Sequence, residues 1–382
     1  MRNLSPDLTA AQKEASGVPY LRVVISDRIG GVRRLALERL YTGSEADGPH
    51  AVAVPADGSL NRFRIDSNTL YRQRVANPDE NSDYTQWISM GNAQVAVAIA
   101  TYGSTILVFK ADTGDPKRIS YTTSTDNGAT FGAFSVLLTH TSAVQNLAAA
   151  SKSNGDTLLL YTGLSNIFAH KRVGGTWSSK GQWTNPAQDN ITGLACHYFG
   201  DFNIVATGTE ATTTDPTVWT LIYGDGSSQA LDTWSPLREV GRASAGSGVS
   251  FHAPFLAQPD IFRLTFVEKY SGSQAYSRPL HTYSPPGSDF ASNLWREPIP
   301  LNLSSDFGLA IASSGATAWL TSPSGVWRAD LNVPTQDVTA DVLAAEAEEK
   351  PFDGRLRLTL RNDDGRYNAL PAAIKLGAEV AV

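Results

Sequence analysis

The chain has 382 residues, a formal net charge of -6 and 41% hydrophobic residues, which argue against a general nucleic-acid binder and against disorder. Its single cysteine, Cys196, excludes a disulfide framework and a cysteine-based zinc site. No apolar run approaches the ~20 residues of a membrane helix, and the first twenty residues lack the apolar segment of a secretory signal.

Only two segments suggest helices. Residues 8–15 follow Ser5-Pro6-Asp7, a helix-start signal, and are predicted to form a short helix. Residues 342–349 are rich in Ala and Glu, as helices are, but they run into an alternating strand at 355–360, so helix and strand both remain open. Between about residues 35 and 331, short strands are separated by Gly, Asn, Asp, Ser and Pro.

These strands recur in six similar units. Each unit begins with a strand of small apolar residues, continues with a second and a more polar third strand, and reaches an aromatic residue before a fourth. The first strands are predicted at 51–54, 95–100, 147–150, 191–196, 249–255 and 308–312. The aromatic residues are Trp87, Phe131, Trp177 or Trp183, Trp234 and Trp295. Their spacing of roughly 40–60 residues is typical of propeller blades, whose small first strands crowd around a central channel.

The ring must also be closed, because the sixth unit has only three strands and ends at 326–331. Residues 35–41 directly precede the first unit and are predicted to supply the missing strand. We therefore expect an all-β chain with a six-bladed β-propeller at 32–331, closed by this N-terminal strand. Residues 1–31 and 332–382 are expected to form one small, discontinuous, β-sandwich-like domain around it. Because residues 378–382 resemble the beginning of a strand, we expect the chain to be part of something longer.

One eight-residue segment, 124–131, matches the pattern S-x-D-x-G-x-T-[W/F]. In such a turn the Asp caps backbone N–H groups, the Gly is left-handed and the aromatic ring packs beneath. The pattern resembles the Asp-box of sialidases and related propellers, which lies opposite the catalytic pocket in that family. The resemblance implies a structural role for Ser124, Asp126, Gly128, Thr130 and Phe131. Residues 224–226, ahead of Trp234, resemble a degenerate copy.

A second segment, Phe63-Arg64-Ile65-Asp66, resembles the Phe-Arg-Ile-Pro signature of sialidases, in which the Arg binds the substrate carboxylate. Here Asp replaces Pro, and no clear Tyr–Glu nucleophile pair accompanies it. Glycoside hydrolysis needs two carboxylates at a fixed separation, but the predicted first strands carry almost no Asp or Glu. The nearest candidates, Glu210, Asp215 and Glu268, are expected in loops after second strands. We assign no catalytic residue.

The six histidines are scattered and lack the spacing of metal ligands, so neither a metal nor a cofactor is expected. They are His50, His140, His170, His197, His252 and His281.

The two ends carry another resemblance. Residues 360–367, Leu-Arg-Asn-Asp-Asp-Gly-Arg-Tyr, match L-x-N-x-D-G-R-[Y/F], a pattern similar to one in tail-tip and minor tail proteins of phages and prophages. Residues 5–24 are similar to the start of such proteins. The resemblance implies a structural or adhesive component of a virion or phage-tail-like particle, in contact with other tail subunits and with cell-surface glycan.

Propellers bind ligands where their first strands begin and in the loops between second and third strands. On that basis six residues are predicted to form a ligand-binding face, because His and Tyr rings stack on sugars and charged groups anchor hydroxyls. They are His50, Lys110, Arg242, His252, Glu268 and Tyr270. Two alternatives stay open, a sialidase-like or other glycan-cleaving hydrolase and a purely architectural spacer.

Overall fold

A computed structural model describes most residues from 38 to 330 and six short segments outside that range. The gaps within it are 44–47, 79–83, 85, 94–95, 113, 164, 185–189, 212, 225–232, 236–237, 245, 258–261, 272–274, 285–289, 291–294, 296–297, 302–309, 315–316 and 323–324. The outer segments are 24–25, 28–29, 32–33, 336–337, 342–350 and 353–360. Among the described residues, no helix has the length and apolar character that crossing a membrane requires.

The chain divides into two compact units, Leu37–Leu331 and a unit formed by Met1–Ala36 with Asn332–Val382. The larger unit contains six antiparallel sheets and is a six-bladed β-propeller, as predicted. We number its blades 1 to 6 in chain order and count the strands of each blade outward from the channel.

The strand bounds, blade by blade, are as follows. Blade 1 has His50–Ala53, Leu60–Asp66, Thr69–Val75 and Ile88–Asn92. Blade 2 has Val97–Tyr102, Thr105–Ala111, Arg118–Ser124 and Ser135–Thr139. Blade 3 has Asn146–Ser151, Thr157–Gly163, Asn166–Val173 and Thr176–Trp183. Blade 4 has Asn190–Phe199, Asp201–Thr209, Pro216–Gly224 and a fourth strand in two pieces, Thr233–Trp234 and Arg238–Arg242. Blade 5 has Val249–Ala257, Arg263–Tyr270, Tyr276–Tyr283 and Ile299–Pro300. Blade 6 has Ala310–Ser314, Thr317–Ser322, Gly325–Asp330 and Glu38–Thr42. All six predicted first strands are present.

The second strand of blade 3 is apolar on both faces because this blade is packed between two others. Every residue of Thr157–Gly163 is buried. Leu158 and Leu160 pack toward blade 4, whereas Leu159 and Tyr161 pack toward blade 2. A strand buried on both sides loses the alternating pattern and becomes a continuous apolar run. The core therefore lies between blades.

The N-terminal strand closes the ring, which confirms the prediction. Glu38–Thr42 pairs antiparallel with Gly325–Asp330, the third strand of blade 6. Side chains of blade 1 add further bonds to blade 6. Nε2 of His50 lies 2.9 Å from the carbonyl of Thr321, and Arg62 donates to the carbonyl of Ser322 at 3.1 Å. Closure therefore satisfies a sheet edge that would otherwise remain open.

In the other unit the described strands form three two-stranded pairs. Val24–Ile25 pairs with Gln336–Asp337, and Arg28–Ile29 pairs with Val32–Arg33. Val342–Lys350 pairs with Asp353–Leu360 over its whole length. The helical alternative for 342–349 is therefore wrong, because cross-strand pairing overrides the local preference of Ala and Glu. The predicted helix at 8–15 and the segments 361–367 and 378–382 lie outside the described residues.

Candidate ligand-binding face

Antiparallel pairing divides the polar residues of the propeller between two faces. The starts of the first strands and the hairpins between second and third strands share one end of each sheet, which we call the top face. The turns between first and second strands and between third and fourth strands lie at the opposite end, the bottom face. All six residues of the predicted binding set belong to elements near the top face.

The Ser124–Phe131 turn joins the third and fourth strands of blade 2 and therefore lies on the bottom face. The Asp126 carboxylate accepts the Thr130 backbone N–H at 2.9 Å, the Thr130 hydroxyl at 2.6 Å and the Ser124 hydroxyl at 2.7 Å. These bonds, led by the one from the Thr130 side chain, hold the pKa of the Asp126 carboxyl well below its usual range. Gly128 has a φ of +80°, and its N–H donates to Ser124 Oγ at 2.9 Å. Phe131 meets Phe63 of blade 1 edge-on at 5.9 Å.

The backbone of this turn is bonded to blade 1. The Asn127 carbonyl accepts from Arg74 at 3.0 Å and from Asn61 at 3.2 Å, and the Gly128 carbonyl accepts from Arg72 at 2.5 Å. The turn therefore uses its polar atoms to connect two blades. The related segment at 224–226 lies mostly outside the described residues.

His50 and Lys110 are buried and have partners within the protein. The two ring nitrogens of His50 lie 3.3 Å from the Gly48 carbonyl and 2.9 Å from the Thr321 carbonyl. Lys110 donates to the Asn92 carbonyl of blade 1 and lies 3.5 Å from Asp112. Both residues link strands or blades.

Arg242 lies on the top face of blade 4 inside a group of three carboxylates. Its guanidinium contacts Glu210 at 2.6 Å, Glu239 at 2.7 Å and Asp215 at 2.9 Å. These hydrogen bonds, led by the one to Glu239, raise the pKa of Arg242, and the bond from Arg242 lowers the pKa of Glu210. A general acid for glycoside hydrolysis needs a raised pKa instead. The group therefore holds Glu210 in its ionised form.

The top hairpin of blade 5 brings together two predicted residues, Glu268 and Tyr270, and two that the sequence analysis missed. Tyr276 stacks on Tyr270 with ring centroids 5.3 Å apart and an interplanar angle of 20°. Its hydroxyl donates to Glu268 Oε1 at 2.7 Å, and Arg278 contacts the same oxygen at 2.9 Å. Tyr276 is 43% exposed. We call Glu268, Tyr270, Tyr276 and Arg278 the blade-5 cluster.

A signal for the missed residues does exist in the sequence. Positions 268 and 270 are mirrored by 278 and 276 around the turn, and the structure pairs Glu268 with Arg278 and Tyr270 with Tyr276. A hairpin over residues 268–278 pairs an acidic residue with a basic one and one Tyr with another, which is a typical cross-strand pattern.

His252 lies on the other side of the same sheet. It is paired in register with Val267, whereas Glu268 is paired with Phe251, and successive side chains of a strand point to opposite faces. Nε2 of His252 lies 2.8 Å from Ser250 Oγ, and burial, with a smaller effect of Lys269, lowers the pKa of His252. The structure therefore separates His252 from the blade-5 cluster.

A central channel with a cavity of about 400 Å³ runs between the first strands. Its wall contains more alanine than any other residue type, and it also includes His197 and Tyr198 near the bottom face. Burial lowers the pKa of His197 to about 4 and raises the pKa of the Cys196 thiol, which keeps both groups uncharged at neutral pH. Within the part of the chain that the structure describes, no group of three or more His, Cys, Asp or Glu residues could hold a metal ion.

Arg64 packs between aromatic rings in blade 1. Its guanidinium carbon lies 4.6 Å from the ring centroid of Trp87 and 5.5 Å from that of Tyr71, and Asp66 is 3.7 Å away. Only 16% of the Arg64 side chain is exposed. The residue therefore supports the packing of blade 1.

No protein-family model and no curated protein matches this chain. Similar solved structures include the lectin of the fungus Aleuria aurantia, a six-bladed propeller that recognises fucose, with a TM-score of 0.44 and 11% identity, covering 75% of this chain and 93% of that chain. A protein of unknown function from Dyadobacter fermentans has a TM-score of 0.49 and 12% identity, covering 77% of this chain and 97% of that chain. An ulvan lyase bound to its saccharide has a TM-score of 0.45 and 12% identity, covering 75% and 79%. Likeness at this level concerns the fold and carries no argument about a ligand.

Proposed function

We propose that this chain is an adhesive component of a phage-tail-like particle and that its propeller binds carbohydrate through the top hairpin of blade 5. The observation that carries the binding part is the stacked pair of Tyr270 and Tyr276, the second of them 43% exposed. A large aromatic side chain with this exposed fraction at the top of blade 5 offers apolar surface to the C–H side of a sugar. The adjacent Glu268 and Arg278 supply the polar contacts that orient such a ligand.

The particle assignment rests on the sequence resemblance of residues 5–24 and 360–367 to phage tail proteins. In this proposal the flanking unit contacts neighbouring tail subunits and the propeller presents the sugar site. Antibodies against the propeller should decorate tail-like particles released by the strain that encodes the chain. Particles free of the chain would overturn this part of the proposal.

Binding is favoured over cleavage by the environment of the acidic residues. Glu210, Asp215 and Glu239 are all paired with Arg242, and Glu268 is paired with Arg278. Each of these carboxylates forms an ion pair with an arginine, whereas a hydrolase also needs an acid that stays protonated.

The binding part is tested by glycan-array screening of the full chain, followed by calorimetric titration of the best ligand. Replacing Tyr276→Ala should weaken binding at least about tenfold, since it removes the exposed ring of the pair. The matched control is Phe199→Ala, which removes another exposed aromatic ring, 56% accessible, at the bottom face of blade 4. The control should bind as the wild type does. Absence of any glycan ligand, or equal affinities for the two variants, would overturn the proposal.

A further inference from the structure

Among the described residues, the partners of Glu268 all contact the same one of its two carboxylate oxygens. Oε1 accepts the Tyr276 hydroxyl at 2.7 Å, Arg278 Nε at 3.0 Å and lies 2.9 Å from Arg278 Nη2. Oε2 receives no hydrogen bond from any residue that the structure describes. The hydrogen bond to Glu268 raises the pKa of the Tyr276 hydroxyl, so this donor keeps its proton at neutral pH. The carboxylate is therefore fixed in orientation with one acceptor atom left over.

Toward the described residues, Arg278 likewise keeps one hydrogen-bonding atom unused, in its case a donor. Nε and Nη2 contact Glu268, while Nη1 has no bond to a described residue and 46% of the side chain is exposed. The guanidinium carbon lies over the Tyr276 ring, 5.2 Å from the ring centroid. The hairpin thus presents a fixed acceptor and a fixed donor beside two stacked rings, and neither must reorganise to receive a ligand.

The charges of this site disfavour an anionic ligand. Glu268 already neutralises Arg278, so a ligand carboxylate or sulfate would have to displace that pair and approach Glu268. On the neighbouring blade of the same face, Arg242 is surrounded by three carboxylates, which leaves an excess of two negative charges. Lys269, next in sequence to Glu268, belongs to the opposite face of the sheet.

We propose that the blade-5 cluster recognises an uncharged sugar with two adjacent hydroxyl groups, one donating to Glu268 Oε2 and the other accepting from Arg278 Nη1. A ring face of the sugar packs on the Tyr270–Tyr276 pair. This inference rests on the proposed carbohydrate-binding function and specifies its ligand class. A hydroxyl both donates and accepts, which matches the acceptor–donor pair, whereas an ionised acid can only accept.

The test is a screen of the full chain against matched neutral glycans and glycans that carry sialic acid, uronic acid or sulfate. Binding should be confined to the neutral set. Replacing either of the two adjacent hydroxyls of the best neutral ligand by hydrogen should weaken binding at least about tenfold, because it removes the hydrogen-bond partner of Glu268 Oε2 or of Arg278 Nη1. Preference for acidic glycans would overturn the inference and leave the proposed function standing. Absence of all glycan binding would overturn both.

Two matched variants test whether the neutral ligand binds at the blade-5 cluster. Glu268→Gln removes the charge that pairs with Arg278 and should weaken binding of the neutral ligand at least about tenfold. Glu239→Gln is the control, since Glu239 also pairs with an Arg on the top face, but on blade 4. Circular dichroism and thermal unfolding establish that both variants fold. Equal affinities for the two variants would contradict the proposed role of Glu268.

Discussion

The propeller has two polar turns, one on each face, that contain similar types of residue but differ in how their polar groups are bonded. In the Ser124–Phe131 turn on the bottom face, Asp126 and the neighbouring carbonyls are bonded within the turn or to blade 1. In the blade-5 cluster on the top face, Glu268 pairs with Arg278 and accepts from the Tyr276 hydroxyl, and Glu268 and Arg278 each retain an atom without a bond to a described residue. A polar turn whose carboxylate and carbonyl groups are bonded within the protein stabilises the fold, whereas one with fixed groups that keep an unbonded, accessible atom can bind a ligand.

The aromatic rings follow the same division. Phe131 is directed at Phe63 in the apolar layer between blades 1 and 2. Tyr276 stacks on Tyr270 at the tip of a hairpin and stays 43% exposed. We therefore expect changes in the Ser124–Phe131 turn to alter stability, and changes in the blade-5 cluster to alter binding with little cost in stability.

The largest effect is expected for Gly128→Ala in the bottom-face turn. Gly128 has a φ of +80°, and an added Cβ would lie 2.0 Å from Asn61 Oδ1. Asn61 is 2% exposed and donates to the Asn127 carbonyl, so it has no room to move away. Left-handed strain and this collision together should lower the free energy of unfolding by about 3 kcal/mol, measured by urea denaturation.

The matched control for that substitution is Gly58→Ala. Gly58 has a similar φ of +77°, but an added Cβ would meet nothing within 4 Å. Strain alone should cost about 1 kcal/mol. If the two substitutions destabilised the protein equally, the contact between the Ser124–Phe131 turn and blade 1 would make no contribution to the free energy of unfolding.

The second-largest effect is a pH dependence of stability that arises from a histidine in the interior of blade 5. His281 lies in the third strand, 1% exposed, and burial, with a smaller effect of Arg263, lowers its pKa to about 3. The unfolded chain, in which His has a pKa near ~6.5, therefore binds the proton more readily, so stability falls as the pH drops below that value. Between pH 7 and pH 4, His281 should reduce the free energy of unfolding by about 2–3 kcal/mol.

The measurement compares urea unfolding of the wild type and of His281→Gln at pH 7, 5.5 and 4. The variant should show a smaller loss of stability over this range, whatever its absolute stability at pH 7. Parallel plots of stability against pH would show that His281 takes up a proton no more readily in the unfolded chain than in the folded one.

The smallest effect is expected for Tyr276→Ala on stability. The side chain is exposed at a hairpin tip, so its loss should change the free energy of unfolding by less than about 1 kcal/mol. A loss as large as that of Gly128→Ala would assign the Tyr pair a structural role and remove the contrast between the two turns.

Much of the architecture could be predicted from the sequence because its signals are local and repeated. Small residues mark first strands such as Asn146–Ser151, continuous apolar runs mark second strands such as Thr157–Gly163, and the missing strand of the sixth unit required Glu38–Thr42. The turn at 124–131 could also be predicted from the sequence, since the residues that form its internal hydrogen bonds lie within one segment of eight. Local preference failed at Val342–Lys350, where pairing with Asp353–Leu360 decides for a strand.

The binding face depended on tertiary structure because the availability of a polar group is not a local property. His50 and Lys110 occupy top-face elements, yet each is bonded to a carbonyl of the neighbouring blade, Thr321 of blade 6 for His50 and Asn92 of blade 1 for Lys110. Tyr276 and Arg278 belong to the candidate site because the strand register places them opposite Tyr270 and Glu268. The sequence by itself determined the six blades and their closure, since periodicity and residue size are written along the chain. Only the folded structure decided which polar atoms are already bonded and which remain for a ligand, because those partners come from distant strands.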